Sequence, residues 1–386
     1  MNKRMQFLVF LTTILGTWLV FHLYVGWRLW SLPVFDSTKG HRTLVIGLAV
    51  AYAAYPLGRY LYGIGWTQGG RVIEYGGAVW MGILVLLVSA LGLVDLVTLF
   101  GLILKPWIVI ARTAAIAVAV VLSVVAWFGG QAKPRTVSLE VEVPNLPAAA
   151  DGLVIAHLSD VHLGALIGTR RLQSLIEQVD FMEPDLVALT GDLVDGHAST
   201  VQAMVPELRT LTAPLGVYSV LGNHEFYAGA NRCRNLMRAA GYRVLDGSAA
   251  EVMPGLWIAG VPDNGHGHEH NGDHGAVEKA LRHVDEGAAV VFLQHAPFNE
   301  QAVADAGVGL MLDGHTHGAQ IWPAHYLVRR EYPHLAGVFT VDAMTQVVSR
   351  GAGHWGPPMR LFAPSDIYRI TLRSPSVTLT RSNVPR

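Results

Sequence analysis

The sequence predicts an α/β domain behind an apolar helical region, and three observations carry that expectation. The charge of the 386 residues is unevenly placed: residues 1–130 hold nine Lys/Arg and three Asp/Glu, a net +6, and the rest hold 19 and 26, a net −7. The front contains long runs nearly free of charge, within a chain that is 51% hydrophobic. The back alternates short apolar runs with helical periodicity, the pattern of a mixed α/β core. Fifteen of the seventeen histidines lie beyond residue 150, so the chemistry is expected there.

Taken in order, "MQFLVFLTTILGTWLVFHLYVGW" (5–27) runs 23 residues without a formal charge, enough to cross a bilayer. Lys3 and Arg4 precede it as in a signal peptide, but the run exceeds a signal core and no small-x-small cleavage site follows. A retained helix is expected. Further spans are expected near 43–66, 75–100 and 107–128, giving about four in a transmembrane region over 1–130. Each of the three holds one interior charge: Arg59, Asp95 and Arg112. The two arginines are expected to snorkel. Asp95 is expected either to pair with Arg112 or to mark the end of its span. Trp27, Trp66, Trp107 and Trp127 fall near span ends, as an aromatic belt would place them. With four spans, six Lys/Arg on one face oppose five on the other, a slight lean toward a cytoplasmic back domain.

Residues 131–149 read as a linker, "QAKPRT", and a first strand, "VSLEVEV". The domain over 150–386 then offers strands at 153–159, 185–190, 216–221, 256–261, 288–294, 308–313, 337–342 and 366–372. Helices are expected at 170–182 and 230–241, the latter ended by Gly241 and holding Cys233, the only cysteine, as a buried apolar residue. One cysteine excludes an internal disulfide and a Cys-rich zinc site. The acidic balance argues against a nucleic-acid partner.

The ends of these strands are the informative feature. They run into "DVHLG", "GDLVDG", "GNHE", "HAPF" and "GHTHG". In α/β sheets the loops at the carboxyl ends of strands form the ligand crevice. They deliver Asp160, His162, Asp192, Asn223, His295, His315 and His317. Mixed imidazole and carboxylate donors suit Mn, Fe or Zn rather than Ca, with Mn favoured here. Seven donors exceed one ion's needs, so two divalent ions sharing a bridging carboxylate are expected. His157 and His197 sit in no such motif and are read as ordinary core or surface histidines. The run "HGHEHNGDH" (266–274) follows no strand directly and reads as a loop, with solvation or adventitious metal binding.

In order, D-x-H, G-D, G-N-H-E, H and G-H-x-H over about residues 150–372 resemble the calcineurin-like metallophosphoesterase superfamily. The resemblance implies a four-layer αββα sandwich with a dinuclear site. It assigns Asp160, His162, Asp192 and His317 to one metal, and Asp192, Asn223, His295 and His315 to the other, with Asp192 as the bridge. His224 would protonate the leaving oxygen or hold the phosphate, and Asn223 would also meet substrate. Gly196 follows "GDLVD" where the protein serine/threonine phosphatases carry Arg, which speaks against protein-phosphatase activity. "SRGAG" (349–353) with "PMRLFAPSDIYRITL" resembles the bacterial membrane-associated phosphodiesterases. Arg350 would then meet substrate phosphate, unless Gly351 and Gly353 make this a structural turn. Arg360 reads as a packing residue.

The expected function is a metal-dependent phosphoesterase in a bacterial inner membrane, with a metal-bridging hydroxide attacking a phosphodiester. Its partners are the lipid bilayer and a phosphate ester, a phospholipid or lipid-linked phosphate among the candidates. A phosphomonoesterase or nucleotide hydrolase on the same site is the alternative within the family. A scaffold or sensor that keeps the fold is the non-enzymatic rival, and a transporter is disfavoured by the few polar residues in the spans.

Overall fold

The computed structural model describes residues 3–263 and 274–375 and resolves the chain into two units. The helical unit comprises Met1–Ala132 with two later stretches, Gln320–Ala324 and His354–Pro364. Its helices are α1 (Lys3–Trp30), α2 (Thr38–Gly63), α3 (Thr67–Val97) and α4 (Ile108–Gln131). Among the described residues, three segments are long and apolar enough to cross a membrane: Thr38–Gly63, Thr67–Val97 and Lys105–Gln131. The fourth expected span lies within α1, one unbroken helix of 28 residues.

The intramembrane charges behave differently from expectation, for an electrostatic reason. The third span starts at Thr67, so Arg71 and Glu74 lie inside it. Glu74 is buried and meets Arg59 of α2 at 3.3 Å, so the two charges offset each other within the bundle. Asp95 does meet Arg112, at 3.4 Å, but it also takes Arg28 Nε at 2.6 Å and the Tyr24 hydroxyl at 2.6 Å. Arg112 therefore does not snorkel; it is buried, because the buried carboxylate draws it inward. Helices α2 and α3 pack backbone to backbone through Gly58, Gly70 and Gly77, where an added Cβ would strike the facing main chain at Glu74, Tyr62 and Tyr55. Ile321, Met359 and Leu361, from the two later stretches, share an apolar cluster with Leu84, Leu87 and Leu91. Arg360 is buried there and donates to the Ala363 carbonyl at 2.9 Å, as a packing residue would.

Among the described residues, the second unit is built on twelve strands. One sheet runs β1-β12-β2-β3-β4-β5 and the other β10-β11-β9-β8-β7-β6. In chain order the strands are β1 (Arg135–Glu142), β2 (Val154–Leu158), β3 (Leu186–Thr190), β4 (Val217–Val220), β5 (Arg243–Val244) and β6 (Ser248–Met253). They continue with β7 (Leu256–Gly260), β8 (Ala289–Leu293), β9 (Leu310–Asp313), β10 (Gly337–Val341), β11 (Met344–Val348) and β12 (Asp366–Arg373). The helices are α5 (Thr169–Asp180), α6 (Ala198–Gln202), α7 (Val205–Leu208), α8 (Asn223–Ala228), α9 (Ala230–Ala239), α10 (His274–Leu281), α11 (Glu300–Asp305) and α12 (His325–Glu331).

Apolar residues from both sheets, among them Ile155, Ala188, Val220, Ile258, Leu293 and Leu312, form one inner core. The opposite face of the first sheet packs against α5, α7 and α9 through Leu175, Leu208 and Leu236. The opposite face of the second packs against α10 and α11 through Val277 and Val303. The result is the expected αββα arrangement. Strands β5, β6 and β11 were not foreseen. Each is short or interrupted by small and polar residues, and is extended because β4, β7 and β9 lie beside it. Cys233 is buried in α9, as expected, and burial pushes its thiol up to about 12.

Two predictions follow from buried charge. Asp95→Leu leaves Arg28 and Arg112 uncompensated, and should destabilise the purified full-length protein by about 3–5 kcal/mol, read as a lower melting temperature in detergent. His157 is fully buried, donor or acceptor to Thr190 Oγ1 at 2.9 Å, and burial lowers its imidazole to about 3. Unfolded, it titrates near 6.5, so the unfolded chain binds more protons between those pH values and stability falls as pH drops from 6.5 toward 3. His157→Phe should flatten that acid limb, by up to about 1.4 kcal/mol per pH unit. Denaturant midpoints at pH 7 and pH 5 would show it, and an unchanged slope would assign the acid sensitivity elsewhere.

Candidate metal centre

Strands β2, β3 and β4 are mutually parallel, as are β7, β8 and β9, so in each sheet three consecutive carboxyl ends face one edge. Asp160 and His162 follow β2, Asp192 follows β3, Asn223 and His224 open α8 after β4, His295 follows β8, and His315 and His317 follow β9. Five of the seven candidate donors (Asp160, His162, Asp192, His315 and His317) hold φ between 50° and 68°. Non-glycine residues take this left-handed backbone only when their surroundings over-determine it, and such strain clusters at functional sites. Here cross-loop bonds impose it: Asp160 N–H donates to Gly191 O at 3.1 Å and His162 N–H to Asp192 O at 2.9 Å. The His315 N–H donates to Asp160 Oδ2 at 2.9 Å. Close approach also demands glycine at two points. A Cβ on Gly222 would strike Asp192 Oδ1, and one on Gly314 would strike Ser159 Oγ and Asp160 Oδ2.

All seven candidate donors come together. His162 Nε2 and His317 Nε2 lie 3.1 Å apart, with Asp160 Oδ1 at 3.8 Å from the first and 3.4 Å from the second. His295 Nε2 lies 3.1 Å from Asn223 Oδ1 and 3.2 Å from His315 Nδ1, which is itself 3.1 Å from Asn223 Oδ1. Asp192 Oδ2 sits between the two sets, 3.1 Å from His295 Nε2 and 3.7 Å from His162 Nε2. His224 stands beside the pair, its ring 4.7 Å from that of His162, and its Nδ1 is 2.9 Å from Asp195 Oδ1.

Sequence reasoning missed three supporting residues. Glu225 is fully buried and accepts the N–H groups of Asp192, Val194 and Gly222 at 2.9, 2.8 and 2.7 Å, tying the β3 loop to the β4 loop. Its place in "GNHE" was visible, its role was not. Asp195, in "GDLVDG", orients His224. Tyr332, just after α12, brings its hydroxyl to 3.0 Å from His315 Nε2, and no local motif marks it. Among the other candidates, Arg350 pairs with buried Asp366 at 2.9 Å, and its backbone N–H donates to the same carboxyl at 2.7 Å. His157 stacks on Tyr368 in the core and His197 lies exposed before α6, both as read from the sequence. The His266–His274 run lies outside the described residues, save for the backbone of His274.

Charge and donor type suit cations. Burial lowers His162 to about 3 and His315 to about 4, so both imidazoles are neutral with a free lone pair. Burial works against ionising Asp192, but the imidazoles of His295 and His224 outweigh it and hold the carboxyl well below its usual range. Nitrogen and oxygen donor atoms converge at about 3.1 Å, as ligands of divalent cations would. The residues therefore fit the two ions expected.

Gly314→Ala should lower the content of divalent metal, measured by elemental analysis of the purified protein, while Gly168→Ala, whose methyl meets nothing within 4 Å, should leave it unchanged. Equal metal content in both would contradict the packing argument. Glu225→Gln leaves a buried backbone N–H facing an amide, and should lower stability by about 2–3 kcal/mol in denaturant titrations.

Comparison with known proteins gives the family. Residues 153–319 match the family model described as calcineurin-like phosphoesterase. A metallophosphoesterase of Aquifex aeolicus is 34% identical over 251 residues, which cover 62% of this chain and 92% of that protein. A zebrafish transmembrane protein with metallophosphoesterase domain is 32% identical, over 67% of this chain and 62% of its own length. A Bacillus subtilis metallophosphoesterase is 30% identical over 59% of this chain and 82% of its own. The chain thus spans less than two thirds of the zebrafish relative and most of the bacterial two. With the αββα fold and five strand-end motifs in family order, the chain belongs to the calcineurin-like metallophosphoesterases and is a phosphoric ester hydrolase.

Proposed function

We propose that this protein is a membrane-anchored phosphodiesterase that works with two divalent cations, manganese favoured, on a phospholipid or lipid-linked phosphate. The single observation that carries the reading is the position of Asp192, whose carboxylate stands between two sets of nitrogen and oxygen donors. Asp160, His162, Asp192 and His317 would hold one ion, and Asp192, Asn223, His295 and His315 the other. When bound, such ions acidify water and offset charge on a phosphoryl group.

The chain's own residues supply orientation and a proton. Burial works against protonating His224, but Asp192 and Asp195 prevail and raise its imidazole. Its Nδ1 is engaged by Asp195, so proton delivery to the leaving oxygen runs through Nε2. Asn223 and Arg350 would orient the phosphate, with Asp366 holding the guanidinium in place. Three long apolar helices support membrane anchoring, as do the zebrafish and bovine relatives named transmembrane proteins. We place it in a bacterial inner membrane with the catalytic unit toward the cytoplasm, following the lean in Lys/Arg.

The test uses the full-length protein in detergent with Mn²⁺, a chromogenic diester and the matching monoester. Asp192→Asn should abolish turnover, and His224→Ala should reduce kcat about 10²–10⁴-fold. Activity without metal, or undiminished in Asp192→Asn, would reject the two-cation reading. Faster monoester cleavage would reject the diester preference.

A further inference from the structure

The helical unit has a feature that hydrolysis does not use: a groove of about 710 Å³ between α1 and α2, lined among others by Leu19, Leu23, Trp27, Leu44, Leu48 and Tyr52. It opens outward from the bundle, since Leu19, Leu23, Trp27, Trp30 and Val45 are all exposed. Its one imidazole is already satisfied. His22 Nε2 accepts from Trp80 Nε1 at 2.8 Å, so Nδ1 carries the proton and donates to Trp18 O at 2.8 Å.

Dimensions decide what fits. From Leu19 to Trp30 the groove follows α1 for about 16 Å, which matches half of a hydrocarbon core about 30 Å thick. That length suits an extended hydrocarbon chain of one leaflet.

Its mouth is cationic. At this end of the bundle, where α1 and α3 finish and α2 and α4 begin, stand Arg28, Lys39, Arg42, Lys105 and Arg112 against Asp36 and Asp95. Asp95 is consumed by Arg28 and Arg112. Lys39 and Arg42 are exposed on the first turns of α2. Beside them His41 stacks on Trp30, which lines the groove, with ring centroids 3.6 Å apart and planes 8° off parallel. A tryptophan and basic side chains at this depth are what a lipid headgroup region accommodates.

We propose that the α1–α2 groove is a binding site for an anionic phospholipid, with one acyl chain laid along it and the phosphate held by Lys39 and Arg42. The inference rests on the helices lying in a bilayer and is independent of the phosphodiesterase reading. Bilayer placement is checked separately, by whether the protein fractionates with membranes until detergent is added.

The experiment exchanges the full-length protein into nanodiscs of equal phosphatidylglycerol and phosphatidylcholine, extracts it mildly, and counts retained lipid by native mass spectrometry. Two basic contacts predict retention of phosphatidylglycerol over phosphatidylcholine on the order of tenfold or more. Lys39→Gln with Arg42→Gln should bring the ratio near one while a lipid is still retained. Ala49→Trp, at an exposed position lining the groove, should remove both lipids. Both variants alter exposed side chains, so unchanged melting temperatures are expected alongside. Equal retention of the two lipids by the parent protein, phosphatidylglycerol retention unaffected by Ala49→Trp, or a dimer formed in place of lipid adducts would overturn the proposal.

Discussion

A buried carboxylate with several claims on it organises the second unit, and that carboxylate is Asp192. Its Oδ1 accepts the His224 backbone N–H at 2.9 Å, and its Oδ2 meets His295. Its own N–H is taken by Glu225 and its C=O by His162. Through one residue, the loops after β2, β3, β4 and β8 are held together. Burying an ion away from water is tolerable only when such partners surround it. The left-handed backbone at Asp192 and four of its neighbours is strain of order 1–3 kcal/mol each, kept in place by that same web. The chain's own bonds therefore hold the centre in place, which is what positioned catalysis of phosphoryl transfer requires.

The helical unit solves a similar problem with arginines in place of imidazoles. Asp95 alone would be costly in an apolar bundle; with Arg28, Arg112 and Tyr24 around it, the charge is shared among α1, α3 and α4. Arg59 and Glu74 do the same between α2 and α3. These pairs define which helices are neighbours, because a mismatched pairing would strand a charge. Glycines at 58, 70 and 77 then let α2 and α3 close to backbone contact.

The strand-end motifs were legible because they are local: an apolar run followed within a few residues by Asp, His or Asn can be read without knowing the fold. All seven candidate donors, His224 and nine strands could be found that way. Glu225 was legible as a residue but not as a tie, since its three N–H donors come from two different loops. Tyr332 reaches His315 from just after a helix whose sequence, "HYLVRRE", carries no site motif. Arg112 was misjudged because its proximity to a span end says nothing about the carboxylate waiting inside.

The sequence by itself determined the apolar spans, the alternation of strands and helices, and the identity and order of the donor residues. These follow from side-chain periodicity and turn chemistry, which act over a few residues. Only the tertiary structure decided which donors share a cluster, that Arg28 joins Asp95, that residues 354–364 fold with the helices, and that α1 and α2 leave a groove. Each of these depends on groups tens to hundreds of residues apart, whose contact is set by packing and by the need to pair buried charge. Adjacency along the chain carries no record of either.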